Sequence, residues 1–559
     1  MSNWAIYITT HLTKQPQMRR PGTFVWETIP QTDDEGMPFL GALVNNEAVS
    51  LQARLDMSCT VKGLTSKDPE GWLILRRSMC FLLSMAAHTA LHDARLRVMH
   101  SIGDGMFFVL RENGGDSMQP PSPESLKILE KTMHSIVQSD KPIMCSHRSY
   151  EEAVKLFTDT GQLDKVSLLR HINTPSVRIF QCGDSSDLDQ GPIVSRTGIL
   201  GSFKLVPYEN GCMMMMPPLE DPSKISEFVP FPELMRVHRE HSKWGEDMDI
   251  QGVGQLNDAV YKLQISDIIQ MSEALHDKNF TEIANMITEK TPVPRVILIA
   301  GPSCAGKTTS AKRLGIHLRV NGRRPVLIST DDYFVGTSAN PVDEDGNPDF
   351  EHVDAVDIKM FNEHLTALLN GETIKRRKFD FRQQSPVFTD EEMHLDRNSV
   401  LIVEGIHGLN PILTESVPRE DKFLIFLSAL TQMGIDDGNV LSTTDNRLMR
   451  RIVRDHLFRG HSALATIRMW PSVRRGEERW IFPYQDMADV SLNTALDYEV
   501  AVLRPYVEPL LAEIKPYDPE YTIARRIQKV LTNFHSILPT AVPGDSILRE
   551  YIGGSLLKY

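Results

Sequence analysis

The chain has 559 residues, of which 41% are hydrophobic and 24% charged, and its formal net charge at pH 7 is −13. This length exceeds what a single hydrophobic core supports, so we expect several domains. The acidic balance disfavours duplex nucleic acid as a partner, since that binding requires a basic surface. Six cysteines without C-x-x-C spacing argue against a disulfide framework or a zinc ribbon. With neither a signal-peptide pattern nor a membrane-length apolar run, the sequence predicts a cytoplasmic protein.

Short apolar segments separated by polar turns occupy the first part of the chain. Residues 4–8, 40–44 and 49–53 have the pattern of half-buried strands, and turns rich in Asp and Asn lie between them. We therefore predict a small β-rich domain over residues 1–68. Residues 69–247 combine helical periodicity with strand-like segments, which predicts a second domain of the α+β class.

A helical pattern links these regions to the rest of the chain. Residues 248–291 predict an amphipathic helical connector, with Leu263, Ile268 and Ile269 near core spacing. A Pro-Val-Pro sequence then ends the helical pattern. We assign residues 292–559 to a final domain.

The most informative segment is an apolar run, Val296–Ala300, followed by the sequence GPSCAGKT. It fits the pattern G-x-x-x-x-G-K-[ST] between a buried strand and a helix. Backbone N–H groups of such a loop surround phosphate oxygens, and the positive end of the helix adds to the attraction. Lys307 is expected to reach the outer phosphates and the Thr308 hydroxyl to hold Mg²⁺. The segment predicts binding of a nucleoside triphosphate, ATP or GTP, through Gly301, Ser303, Cys304, Ala305, Gly306, Lys307, Thr308 and Thr309.

Two further apolar runs lead into acidic residues. Val326–Ser329 comes just before Asp331, and Ser399–Val403 comes just before Glu404. Open α/β sheets bind ligands where their parallel strands end, so we expect both carboxylates to lie beside the phosphates. Asp331 could accept a proton from a substrate hydroxyl. Thr308, Asp331 and Glu404 together would supply the hard oxygen ligands that suit Mg²⁺.

Arginines recur at spacings of three and four within residues 445–460. Such spacing aligns side chains along one side of a helix. A cationic stripe in an acidic chain requires an anion, and we expect the triphosphate to be that anion. The arginines of this segment are Arg447, Arg450, Arg451, Arg454 and Arg459.

Together these motifs resemble those of the uridine kinase and phosphoribulokinase family, from residue 296 to residue 493. The sequence DDYF at Asp331 resembles the family's D-[ST]-[FY]-[YH], and FEHVDAVD at 350–357 resembles F-D-H-P-D-A-F-D. A later FDF resembles Y-D-F, and EGI at Glu404 is the family's own sequence. The arginine segment ends in RD…RG, which resembles the R-D-x-x-x-R-G of a mobile lid.

This resemblance implies a parallel α/β sheet with a helical lid. The implied activity is Mg²⁺-dependent transfer of the γ-phosphoryl of ATP to the 5′-hydroxyl of a nucleoside. In the family's pattern Asp331 corresponds to the general base, and Lys307 contacts the phosphates. Arg450, Arg454 and Arg459 correspond to lid arginines that close over the phosphates and exclude water.

The resemblance also implies substrate-binding residues. Asp354 corresponds to an acid that binds the ribose hydroxyls, and His352 precedes it in the same motif. The family's tyrosine and histidine that address a pyrimidine are replaced by Phe379 and Gln384. An aromatic wall is kept while the hydrogen-bonding edge changes, which leaves the base preference open. A phosphoribulokinase-like sugar-phosphate kinase is an alternative, in which residues 375–378, KRRK, would bind the phosphate of the substrate.

The first two regions resemble the N-terminal part of threonyl-tRNA synthetase. Residues 1–68 resemble its small ubiquitin-like β-grasp (TGS) module. Residues 69–247 resemble its editing-type domain through HSIGDGMF at His100 and YEEAVKLF at Tyr150. The family's C-x-G-P-H sequence reads Asp189-Gln-Gly-Pro-Ile193 here, without the cysteine and the histidine. We therefore expect no tRNA editing by this half.

Partners and metals of the N-terminal half are less defined. His88 and His92 form an H-x-x-x-H pair that could bind a metal on a helix, but no third ligand is apparent. A binding, regulatory or dimerising role fits this half, so we expect a homo-oligomer and consider a contact with RNA. The alternative of a different class is a nucleotide-dependent RNA-binding switch that hydrolyses ATP slowly.

Overall fold

A computed structural model describes residues 5–91, 94–112, 120–336, 339–343, 346, 348–380, 383 and 385–558. Within these residues no helix is both long enough and apolar enough to cross a membrane. Apolar side chains of the described residues form several buried cores rather than one.

A mixed β-sheet forms the first part of the chain. Its strands, together with a separate short pair, are β1 (Ile6–Thr10), β2 (Gln17–Arg19), β3 (Thr23–Phe24), β4 (Gly41–Val44), β5 (Glu47–Val49), β6 (Arg54–Leu55) and β7 (Cys59–Leu64). The sheet has the order β2-β1-β7-β4-β5, and β3 pairs with β6. The central strands β1 and β7 run parallel, while the other pairs are antiparallel. Buried residues of these strands, such as Ile8 and Val61, form a small core of their own.

The second region packs a long helix against antiparallel strands. Its elements are α1 (Pro69–Ala90), β8 (Arg95–Ile102), β9 (Gly105–Arg111), α2 (Pro123–Gln138), β10 (Met144–Ser149), α3 (Tyr150–Asp159), α4 (Leu163–Leu169), β11 (Ser176–Cys182), β12 (Ser185–Leu188), β13 (Lys204–Tyr208) and β14 (Gly211–Met215). One sheet has the order β13-β14-β9-β8 and the other β10-β11-β12. The helix α1 is 22 residues long and buries apolar residues along most of its length.

Three helices follow, α5 (Pro232–Asp247), α6 (Val253–Tyr261) and α7 (Ile265–Glu289). The expected core position Leu263 is wrong, because this residue is 87% exposed and has a φ of +60° in the break between α6 and α7. Ile268 and Ile269 are buried as expected. They pack in the same core as the P-loop strand, so α7 is part of the C-terminal core and does more than link two regions.

A parallel sheet dominates the C-terminal region. The strands are β15 (Val296–Ala300), β16 (Arg324–Ser329), β17 (Ile374–Asp380), β18 (Ser385–Met393), β19 (Ser399–Glu404), β20 (Lys422–Ser428) and β21 (Val490–Asn493). The order is β16-β19-β15-β20-β21, with every pair parallel, and β17 and β18 form a separate hairpin. This sheet confirms the predicted α/β fold class.

Helices cover both faces of the parallel sheet. They are α8 (Lys307–Val320), α9 (Ile358–Leu369), α10 (Thr443–Arg454), α11 (Ala463–Trp480), α12 (Glu499–Leu511), α13 (Tyr521–Leu531) and α14 (Arg549–Ile552). In β15, Ile297 and Ile299 face one core and Val296 and Leu298 face the other. A strand buried on both faces reads as a continuous apolar run, which explains the pattern in the sequence.

Candidate functional site

The phosphate-binding loop joins β15 to α8 in the conformation that its sequence predicts. Cys304 and Gly306 both have a positive φ, +60° and +80°. A Cβ at Gly306 would lie 2.8 Å from Cγ2 of Ile547, so only glycine fits there without a shift of the neighbouring chain. The helix begins at Lys307, whose Nζ donates to the carbonyl oxygens of Gly301 at 3.0 Å and of Pro302 at 3.2 Å.

The strand order brings the expected metal ligands together. Because β19 lies between β16 and β15, Glu404 ends beside both the P-loop and the segment that contains Asp331. The Thr308 hydroxyl donates to Oε1 of Glu404 at 3.4 Å. Burial raises the pKa of Glu404 to about 7, and the negative charge of nearby Asp331 raises it further while Lys307 opposes this. Three residues that are widely separated in sequence therefore meet at one edge of the sheet.

This cluster fits a divalent cation. It offers one hydroxyl and two carboxylate oxygen groups, which are the ligands that Mg²⁺ prefers. Burial is the main reason that the pKa of Glu404 is raised, the negative charge of Asp331 adds to the shift, and a bound cation would favour the charged form of both carboxylates. No group of three or more His, Cys, Asp or Glu side chains that could hold a metal occurs within the described residues, so this site depends on a hydroxyl as well as on two carboxylates. Of the H-x-x-x-H pair, His88 is exposed and His92 lies outside the described residues.

Asp331 lies on a 3-10 turn, Thr330–Tyr333, directly after β16. The Ser329 hydroxyl accepts the backbone N–H of Asp331 at 3.3 Å and so fixes the start of this turn. The turn packs closely against the end of β19, because a Cβ at Gly405 would lie 1.7 Å from the Thr330 hydroxyl. The glycine of the E-G-I sequence is thus required for the close approach of the two acidic segments.

Glu351, in the FEHVDAVD segment, is a buried acid within electrostatic reach of Lys307 and Asp331, and the sequence reasoning missed it. The expected ribose ligand, Asp354, instead has a side chain that is 69% exposed and lies 3.7 Å from the His352 ring. In Glu351 the Oε2 atom is buried and has no hydrogen-bond partner among the described residues. Burial raises the pKa of Glu351 to about 7. The charge of Asp331 also raises this pKa, and the charge of Lys307 lowers it. The sequence did carry a signal, since Glu351 matches the first acid of the family's F-D-H-P-D sequence.

The other residues expected to bind substrate are His352, Phe379 and Gln384, and the structure describes the first two. The His352 ring packs against Trp480 with ring centroids 4.5 Å apart. Phe379 is only 7% exposed and contacts Phe334 edge-on, so it contributes to the core under the β17–β18 hairpin. Gln384 lies outside the described residues.

Two arginines of α10 are buried and donate to carbonyl oxygens of the P-loop instead of facing solvent. Arg450 was expected over the phosphates, but it is fully buried, forms an ion pair with Glu499 and donates to the Cys304 carbonyl at 3.1 Å. Arg447 donates to the Ser303 carbonyl at 3.0 Å and pairs with buried Glu477. Acids of the protein itself therefore neutralise this part of the arginine stripe.

The remaining arginines surround Asp455, which is 1% exposed. Arg454 donates to Oδ1 of Asp455 at 2.8 Å, and Arg459 approaches the same oxygen at 3.8 Å. The positive charge of Arg454 lowers the pKa of Arg459, and Asp331 is among the charges that oppose this shift. Arg451 donates to the Ser303 hydroxyl at 2.9 Å. Of this group Arg459 has the most exposed side chain, 42%, and it lies on the side of Asp331.

The segment that matches the editing motif lies against the C-terminal region. Asp189 pairs with Lys529 of α13 at 2.5 Å and with Arg178 at 3.1 Å. The Arg77 guanidinium donates to the Pro192 carbonyl at 2.6 Å. A Cβ at Gly191 would lie 2.6 Å from the same guanidinium. Side chains of the protein thus fill the space around this segment.

These features define the C-terminal region as a P-loop domain of the kinase type. Residues 296–501 match the model of the "Phosphoribulokinase / Uridine kinase family". This part of the chain therefore matches that family, and the predicted resemblance is confirmed.

The N-terminal region is similar to threonine–tRNA ligases. The ligase of Symbiobacterium thermophilum is 32% identical over 168 residues, which are 30% of this chain and 25% of the ligase. That of Carboxydothermus hydrogenoformans is 27% identical over 223 residues, or 38% of this chain and 34% of the ligase. The matches thus span about a quarter to a third of the length of these curated relatives.

Solved kinase structures resemble part of the chain more distantly. One is a putative fructose transport system kinase from Silicibacter sp. TM1040, with 14% identity and a TM-score of 0.27, covering 38% of this chain and 98% of that one. Another is a possible uridine kinase from Bacillus stearothermophilus, with 16% identity and a TM-score of 0.27, covering 39% of this chain and 98% of that one. The strand order and the P-loop define the fold of the C-terminal region.

Proposed function

We propose that this protein transfers the γ-phosphoryl group of ATP or GTP, with Mg²⁺, to the 5′-hydroxyl of a nucleoside or a similar ribosyl metabolite. The observation that carries the proposal is the meeting of Lys307, Thr308, Glu404 and Asp331 at the carboxyl edge of one parallel sheet. The match of residues 296–501 to a kinase family supports it independently.

Each residue of the cluster has a role in this proposal. Asp331 accepts the proton of the acceptor hydroxyl. The hydroxyl oxygen forms a bond to the γ-phosphorus, and the bond between this phosphorus and the leaving nucleoside diphosphate breaks. Lys307 and the P-loop N–H groups bind the phosphate oxygens. Thr308, Glu404 and Asp331 would hold Mg²⁺, which offsets negative charge on the phosphates when bound. Arg459 is the lid arginine best placed to face the transferred group.

Glu351 is the preferred candidate for binding the sugar of the acceptor. Its buried Oε2 atom lacks a hydrogen-bond partner among the described residues, and a sugar hydroxyl could donate to it. Lys307 and Asp331 are both close enough to influence its pKa. Exposed Asp354 offers no such buried oxygen, so in the proposal Glu351 takes the role that the sequence alone assigned to Asp354.

A sugar-phosphate kinase remains the second candidate. The charges of Arg376 and Lys378, on β17, lower the pKa of Asp332 against the larger effect of burial, so two cations lie near the acceptor side. Arg377 is not available for a substrate phosphate, because it is buried, bonded to Asp357 at 2.9 Å and to the Phe334 carbonyl at 2.8 Å. Arg376 pairs with exposed Glu391 at 3.4 Å, so a phosphate on the acceptor could bind Lys378 directly and Arg376 by displacing Glu391.

The test is an acceptor panel of ribonucleosides, deoxynucleosides and pentose phosphates, with ATP or GTP as the donor and Mg²⁺ present. The wild-type chain is compared with the variants Asp331→Asn, Glu351→Gln and Asp354→Asn. We expect at least one ribosyl acceptor to gain phosphate, Asp331→Asn to be nearly inactive, and Glu351→Gln to raise KM far more than Asp354→Asn does.

Three results would count against the proposal. If no acceptor gains phosphate, the phosphotransferase activity is wrong. If ATP turnover is slow with every acceptor but rises with added tRNA, the nucleotide-dependent RNA-binding switch is the better description. If Asp354→Asn alone raises KM, the sugar is bound by the residue that the sequence first indicated.

A further inference from the structure

A carboxylate from near the end of the chain lies on the phosphate-binding loop. Oε2 of Glu550, in α14, accepts the backbone N–H of Thr309 at 3.1 Å and the Thr309 hydroxyl at 2.6 Å. Thr309 is the third residue of α8, and the first N–H groups of a helix have no partners within it. Glu550 therefore occupies donors that a P-loop offers to phosphate.

The contact is supported by the packing around it. The Tyr551 hydroxyl donates to the Cys304 carbonyl at 3.0 Å, and Ile547 lies against Gly306. Tyr551 is fully buried, and the Arg450 guanidinium lies 5.2 Å from its ring centroid. The segment around α14 is thus docked on the P-loop through several independent contacts.

A second acid on the loop shows why Glu550 is the one that could move. Glu477 accepts the Ser303 N–H at 3.0 Å, is fully buried and forms ion pairs with Arg447 and Arg474. Two guanidinium groups neutralise it in place. Glu550 is partly exposed and forms no ion pair among the described residues. Its bonds to Thr309 are the side-chain hydrogen bonds that a competing anion would have to replace, and the nearby charges of Lys312 and Arg454 would attract that anion as they attract Glu550.

We propose that Glu550 is an internal competitor for the nucleotide and so determines the affinity of the site, because its carboxylate and a phosphate group require the same two donors of Thr309. This inference rests on the proposed function of the P-loop. Two anions cannot share these donors without strong repulsion. A nucleoside triphosphate binds when the carboxylate moves away, and the α14 segment gates the phosphate site.

The size of the effect follows from the population of the displaced state. The apparent affinity of a ligand falls in proportion to the fraction of molecules that can bind it. If about one molecule in ten has Glu550 displaced, removing the competing charge tightens nucleotide binding roughly ten-fold.

The experiment measures binding of ATP and of ADP, each with Mg²⁺, to the full chain by calorimetry. Glu550→Gln has nearly the shape of the native side chain but no charge, and exposed Glu513→Gln is the matched control. We expect Glu550→Gln to lower Kd roughly ten-fold and Glu513→Gln to leave it unchanged. Lys307→Ala should abolish binding in both backgrounds, which would locate the measured binding at the P-loop.

Equal or weaker binding by Glu550→Gln would overturn the inference about Glu550. If that binding still requires Lys307, the assignment of the nucleotide site to the P-loop would be unaffected. Failure of every variant to bind nucleotide would overturn the proposed function as well. Thermal unfolding gives a second measurement. We expect Glu550→Gln to lower Tm without nucleotide and to show a larger rise of Tm with nucleotide. A purely structural role would lower Tm in both conditions by the same amount.

Discussion

Two aspartates that follow strands have opposite surroundings in the two halves of the molecule. Asp331, after β16, forms no ion pair among the described residues and influences the pKa of Glu404 and Glu351. Asp189, after β12, is clamped by Lys529 and Arg178 and its side chain is 4% exposed. An acid that is to accept a proton or hold a metal must keep its charge available, whereas an acid that joins two regions is neutralised by them. The carboxylate of Asp331 thus stays without an ion pair among the described residues, whereas that of Asp189 forms part of the contact between the two regions.

The largest expected effect is at the reactive aspartate. Asp331→Asn should lower kcat about 10²- to 10⁴-fold, because the amide cannot accept the proton of the acceptor hydroxyl. Steady-state kinetics with the best acceptor of the panel would measure it. Its matched counterpart is Asp189→Asn, for which we expect kcat to stay within about two-fold of wild type. A loss of kcat in Asp189→Asn as large as that in Asp331→Asn would contradict the prediction that only Asp331 takes part in the reaction.

The contact between the halves gives the next largest effect. Arg526 of α13 is bonded to Glu70 of α1 and, at 2.9 Å, to Asp445 of α10, and all three side chains are mostly buried. Arg526→Met would leave two buried carboxylates unpaired and should destabilise the fold by about 2–4 kcal/mol. Urea unfolding would measure the change.

The neighbouring arginine is the control for this experiment. Arg525 lies 3.4 Å from Glu47, and both side chains are more than 40% exposed. Arg525→Met should therefore cost less than about 1 kcal/mol. Similar losses in both variants would mean that the contact between the halves is not specially stabilised by Arg526.

Low pH should destabilise the N-terminal half, which contains His100 and His238. Burial lowers the pKa of His100 to about 3 and that of His238 well below its usual value, and the two rings lie 4.2 Å apart. The unfolded chain binds protons below about pH 6.5 while these folded imidazoles stay neutral, so stability is lost as the pH falls from 6.5 towards 3. At pH 5 we expect a loss of about 2 kcal/mol for each histidine relative to pH 7.5.

The variant His100→Leu should remove the contribution of one histidine, about 2 kcal/mol, from the difference between pH 5 and pH 7.5, whatever it does to the stability at either pH. Urea unfolding at both values measures this difference. An unchanged pH dependence would show that other groups, such as buried His276 and His407, whose pKa values burial also lowers, are responsible.

Apart from the control Arg525→Met, the smallest effect expected is the stability change in Asp189→Asn. Lys529 and Arg178 are partly exposed, at 37% and 55%, so water can solvate them when the carboxylate is lost. We expect a cost of about 1–2 kcal/mol, which is smaller than the cost of Arg526→Met. A loss larger than that of Arg526→Met would mean that the segment around Asp189 contributes more to the contact than Arg526 does.

Local sequence determined the phosphate-binding loop, the parallel strands and the two acids that follow them. These features depend on short-range rules: a strand buried on both faces is continuously apolar, and a loop that surrounds phosphate needs glycine where φ is positive. The resemblance in the N-terminal half was also readable, because its motifs are contiguous. Such features require no knowledge of which distant segment packs against them.

Only the tertiary structure decided how the charged side chains are used. Arg447 and Arg450 follow the same helical spacing as a phosphate-binding stripe, yet buried Glu477 and Glu499 neutralise them from other segments. The choice of Glu351 over Asp354, and the contact of Glu550 with the P-loop, likewise depend on burial and on residues far away in sequence. The strength of a charge in a protein depends on its solvation and its neighbours, and both are properties of the assembled fold rather than of the local sequence.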